Sequence, residues 1–148
     1  MRPAPGILAV FVRAIAIAAA AVVVGVGVRY AAIGGMLGMT LIHPVAIGVG
    51  TILCIVCGHQ ASQAGGIPKG LLYALSGVFS LWFDLFIAVT TYFDVWQASP
   101  NPPPEAFTDG AQLVGVVIGG WMPGLAVFGL TLIAFWVRRN VKTPPKQA

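Results

Sequence analysis

The sequence predicts an all-α fold, a polytopic membrane protein built as a bundle of four transmembrane helices, and three observations carry that expectation. Of its 148 residues, 58% are hydrophobic and only 8% are charged, with a mean hydropathy of +0.92. An ordinary soluble domain carries about 25% charged residues, so this chain has too little charge to cover a water-facing surface. Four apolar stretches lie at 7–28, 31–57, 71–93 and 111–137, each long enough for a bilayer core that needs about 20 helical residues. The eight Lys and Arg residues fall largely at chain ends and connections. That placement suits membrane orientation rather than a nucleic-acid partner. A soluble globular enzyme, a disordered tail and a nucleic-acid-binding module are all excluded on these grounds.

The first span competes with a signal peptide, because Arg2 and Arg13 precede the apolar block and Ala31 and Ala32 follow it. We read it as a retained helix. Arg29 and Tyr30 form a very short connection, which makes the first two helices antiparallel neighbours. The second connection, 58–70, contains Gly65, Gly66 and Pro68, residues that turn a chain without structure of their own. Segment 94–110 holds a proline run, Pro102 to Pro104, that favours an extended, stiff path. Segment 138–148 is a basic tail. The chain reads as a single membrane domain, 1–148.

The second and fourth spans are each about 27 residues, roughly 40 Å of helix against a core near 30 Å. They are expected to tilt, or to kink near their middles at Pro44 and Pro123. If the spans alternate, Arg2, Lys69, Arg138, Arg139, Lys142 and Lys146 share one side, against Arg29 on the other. The positive-inside bias then places both termini in the cytoplasm of a bacterial inner membrane. Asp94, Glu105 and Asp109 fall outside, in a segment without Lys or Arg. Tyr92, Trp96 and Trp136 are expected to anchor the interfaces.

Small residues recur four apart: Ala14 with Ala18, Ala21 with Gly25, Gly34 with Gly38, Gly115 with Gly119, and Gly120 with Gly124. Such pairs let helix backbones approach in lipid, where packing replaces the hydrophobic drive. Their number points to other membrane subunits, or copies of this chain, as partners.

The third span carries the polar constellation. Tyr73, Ser76, Gly77, Ser80, Asp84, Ala88 and Thr91 fall on one stripe of helical period. Asp84 sits near the bilayer centre, where an acidic side chain costs about 2.5 to 3.5 kcal/mol on insertion scales. Counting from the expected inner ends puts His43 at similar depth, a candidate partner that would lower the expense of both groups. Arg13 either snorkels to the interface or reaches toward this stripe. The candidate site is therefore Asp84, His43, Ser80, Tyr73 and Arg13.

Cys54 and Cys57 lie three apart on one helical face. A membrane oxidoreductase that makes disulfides would need a second cysteine pair in a loop, and haem attachment would need His directly after Cys57, where Gly58 stands. They read as buried apolar cysteines. His43 and His59 are 16 residues apart (59 − 43), about 24 Å along a helix, too far to clamp one haem. No activated nucleophile, phosphate-cradling loop or metal-ligand set is present. The expectation is thus a non-catalytic accessory subunit of a bioenergetic, secretion or conjugation complex, with no cofactor and no metal. A small homo-oligomeric channel or transporter with a proton or ion path at Asp84 and His43 is the first alternative. Haem or pigment binding through His43 is the second.

Overall fold

The computed structural model describes residues 5–102 and 110–141. They form five helices: α1 (Ile7–Ile33), α2 (Met39–Gln63), α3 (Ile67–Gln97), α4 (Ala111–Gly119) and α5 (Trp121–Val141). Helices α1, α2 and α3 each supply one span long and apolar enough to cross a membrane, and α4 with α5 supply the fourth, Leu113–Arg139. The chain is a multi-pass, all-α membrane bundle. Lys142, Lys146, Arg2, Glu105, Asp109 and Pro103–Pro104 lie outside the described residues, with the parts of segment 94–110 and of the basic tail that hold them.

Helices α1 and α3 and the fourth span run further than composition alone predicts, and the turn between α2 and α3 is correspondingly short. Arg29 and Tyr30 are not a connection: α1 continues through them to Ile33. Nothing in either residue breaks a helix, whereas Gly35 adopts φ 72°, a left-handed conformation open to glycine. The amides of Met36 and Leu37 both donate to the Ala31 carbonyl and close the end of α1. The second span accordingly begins at Met39, not at residue 31. Likewise α2 and α3 are separated only by residues 64–66, where Gly65 and Gly66 take φ 62° and 140° and Pro68 starts α3 without an amide to satisfy. Asp94 and Trp96 belong to the last turns of α3 rather than to a loop.

Pro44 does not lie at the middle of its span, whereas the fourth span is interrupted beside Pro123. Pro44 is the sixth residue of α2, near its start. In the fourth span the break falls at Gly120, and Pro123 sits in the first turn of α5, where a missing amide is least damaging. The Trp121 ring stacks on Trp82 of α3 at 4.7 Å between centroids. The break thus turns α5 against the central helix.

That central helix is α3, which packs on α1, α2, α4 and α5. Half of its membrane window is buried, against 17% for α1 and for the fourth span, whose remaining apolar faces suit lipid. Buried apolar residues form two clusters. One gathers Val10, Ala14, Cys54, Tyr73, Leu81 and Phe128 among others, and the second gathers Val28, Ala32, Ile42, Ala46 and Ala88. Asp84 lies on α3 between the two. Lys69 donates to the Pro5 carbonyl at 2.6 Å and Arg139 to the Ser62 carbonyl at 2.6 Å. These basic residues mark one end of the bundle. Arg29 and Asp94 pair at 2.7 Å at the other.

Candidate functional site

Tyr73, Ser76, Gly77, Ser80, Asp84, Ala88 and Thr91 are all buried on α3. A helix turned by about 100° per residue brings these positions onto one face, and that face meets α1 and α2. Ser76 Oγ donates to the Ala14 carbonyl of α1 at 2.7 Å, and Ser80 Oγ donates to the Ser76 carbonyl at 2.8 Å. Both hydroxyls are therefore spent on backbone acceptors.

Asp84 is fully buried, and neither carboxyl oxygen meets a hydrogen-bond donor among the described residues. Its space comes from two glycines. A Cβ on Gly25 of α1 would stand 3.0 Å from Oδ1, and a Cβ on Gly50 of α2 would stand 3.0 Å from Oδ2 and from the Leu81 Cα. The carboxyl is thus held between two bare stretches of helix, where any side chain would displace it. Tyr73 Oη and Thr91 Oγ1, on the same face of α3, are also buried without a partner, as is Trp82 Nε1. Buried polar groups are ordinarily paired. A row of unpaired ones in a membrane interior is the pattern of a site rather than of a packing core.

His43 is not a partner of Asp84. Its ring packs edge-on against Tyr92 at 4.8 Å between centroids, while Gly50 faces the carboxyl. Seven residues separate the two α2 positions (50 − 43), about 10 Å along the axis. The turn at 64–66 is centred within about one residue of the expected connection, so its position alone does not account for the two-turn difference between His43 and Gly50. His43 is only half-buried. Tyr73 and Ser80 do not extend a donor chain to Asp84 either, since the Ser80 hydroxyl turns back to Ser76. Arg13 is exposed on the outer face of α1, and 12 residues (25 − 13), about 18 Å of helix, lie between it and Gly25 beside the carboxyl. It does not reach Asp84.

The glycines that bring helices together are only in part those expected. Gly34 and Gly38 cap α1 and α2 in the turn between them. Gly115 and Gly119 have no described atom within 4 Å of where a Cβ would stand. Of the expected positions, Gly25 meets the Asp84 carboxyl, Gly120 meets Trp82 at the break, and Gly124 packs on the Val78 backbone at 3.1 Å. Further close approaches are at Gly50, Gly58 and Gly77, the last with Cys57 Cβ 2.7 Å from its would-be Cβ. In α2 the signal was present as Ala46, Gly50, Cys54 and Gly58, small residues four apart. Cys54 and Cys57 are free and fully buried, with Cys54 Sγ 3.5 Å from the Gly124 carbonyl. Among the described residues no three His, Cys, Asp or Glu side chains gather as a metal set.

Comparison with protein-family models, with curated proteins and with solved structures found no match to this chain.

Proposed function

We propose that this protein is a small membrane component that handles a proton or a small cation at Asp84. One observation carries the reading: a fully buried carboxyl in mid-span, with no hydrogen-bond partner among the described residues, in a slot that Gly25 and Gly50 keep open. A carboxyl kept only for helix pairing would be expected to hold a donor on a neighbouring helix. This one holds none. Thr91, two turns away on the same face with no hydroxyl partner among the described residues, offers a further station for a proton or a line of water. The Lys and Arg distribution supports a bacterial inner membrane with the Lys69 and Arg139 end in the cytoplasm.

The accessory-subunit reading keeps an observation of its own. Gly115 and Gly119 leave a smooth face on α4 with no described residue within 4 Å of where a Cβ would stand, a surface a partner helix could approach closely.

Liposomes loaded with a pH-sensitive dye and driven by an imposed potential separate the two readings. Wild-type protein should dissipate the gradient, and Asp84→Asn should slow it at least about tenfold while inserting normally. Equal rates for both proteins and for empty liposomes, with stoichiometric partners in gently solubilised membranes, would favour the accessory role.

A further inference from the structure

Resting on the reading of Asp84 as the ion-handling group, we infer that its ion is a proton and not a metal cation. The carboxyl is held closely between α1 and α2: a Cβ on Gly25 would stand 3.0 Å from Oδ1, and one on Gly50 would stand 3.0 Å from Oδ2. The other atoms crowding those two positions are carbons, Phe83 Cε1 and Ile87 Cγ1 at the first and Asp84 Cβ and Leu81 Cα at the second. A hard cation such as Ca²⁺ collects about six to eight oxygens at about 2.3 to 2.6 Å, and a monovalent ion stripped of water needs a ring of carbonyls in its place. Asp84 brings two oxygens. Ser80, one turn away, donates its hydroxyl back to the Ser76 carbonyl at 2.8 Å. Thr91 is seven residues on (91 − 84), about 10 Å along the axis, too far to share an ion with the carboxyl.

A proton asks for no such shell. It bonds to one oxygen, takes up no volume between the helices and makes the carboxyl neutral, with one O–H to donate. The charge that an apolar interior makes expensive is thereby removed at the oxygen itself. No other titratable group reaches the carboxyl among the described residues. On α1, Arg13 and Tyr30 are exposed and Arg29 pairs with Asp94. On α2, His43 and His59 pack on Tyr92 and Phe135, and Cys54 and Cys57 join the cluster that holds Tyr73. Helix α4 carries no titratable side chain, and Arg138 and Arg139 stand in the last turn of α5.

The test follows the carboxyl itself, by infrared difference spectroscopy of full-length protein in proteoliposomes titrated with pH, with and without Na⁺, K⁺ or Ca²⁺. The stretch of a protonated carboxyl should grow as pH falls, be missing in Asp84→Asn, and keep its midpoint whichever cation is added. Carboxyl-labelled aspartate in an Asp94→Asn, Asp109→Asn background, where Asp84 is the one aspartate left, assigns the same band in protein that keeps the site. A cation competing for these oxygens at about 100 times its Kd would displace the midpoint by about two pH units. Such a displacement would overturn the proton assignment while leaving Asp84 an ion site. A band that answers to neither pH nor cations would overturn both the assignment and the reading beneath it.

Discussion

The Asp84 carboxyl occupies the volume that a side chain at position 50 would need, with Oδ2 3.0 Å from where a Cβ on Gly50 would stand. The same would-be Cβ is 3.0 Å from the Leu81 Cα, so α2 and α3 are in backbone contact beside the acid. The site and a close approach of α2 to α3 are one feature.

Gly50→Ala is therefore expected to be more than a loss of room for the acid. Because a backbone atom is among the neighbours, the hairpin must open slightly, with a loss of about 1 to 3 kcal/mol. Detergent-titrated unfolding followed by circular dichroism reads this directly. Gly27→Ala on α1, which meets nothing within 4 Å, should be neutral. Similar losses for both would mean that the slot is not tight.

Asp84→Asn keeps the shape of the side chain and has no partner to lose. Its unfolding midpoint should stay within about 1 kcal/mol of wild type or rise, as expected where a group is retained for activity rather than stability. Breaking a true buried ion pair costs about 3 to 5 kcal/mol. A loss of that size would show that Asp84 clasps a partner and would remove the basis for a transport site.

Gly58→Ala places a Cβ 2.7 Å from Thr131 Cγ2, between α2 and α5. A destabilisation of about 1 to 3 kcal/mol is expected, partly relieved by adding Thr131→Ser, which deletes that methyl group. The double-mutant cycle should give a coupling of at least about 0.5 kcal/mol. Strict additivity would place the two helices further apart than described.

Gly115→Ala and Gly119→Ala meet open space and should leave the isolated bundle unchanged or more helical, since Ala is favoured over Gly by about 1 kcal/mol in a helix. In native membranes the same pair discriminates function. Loss of a co-purifying chain only in these variants would identify α4 as a docking face.

Arg29 and Asp94 are each roughly two-fifths exposed, and exposed pairs contribute about 0 to 1 kcal/mol. Asp94→Asn should therefore cost less than about 1 kcal/mol, with the difference shrinking at high salt. A larger, salt-insensitive loss would indicate that this end is buried against another molecule.

Composition and apolar run length determined that the chain is helical, spans a membrane four times and keeps its polar stripe on the third span. Those properties depend on segment hydropathy and a fixed helical period, which are local and additive along the sequence. The stripe from Tyr73 to Thr91 was legible for that reason. Pairings between helices were not. Whether Asp84 faces His43 or Gly50 depends on how α2 packs along α3, which residue counts from the expected helix ends do not give. Only the assembled bundle decided that Gly25 and Gly50 flank the acid, because a glycine's role in packing is set by what lies opposite it. The small-residue repeat of α2 was visible as a pattern, yet its use for close approach to α3 and α5 came from the tertiary register alone.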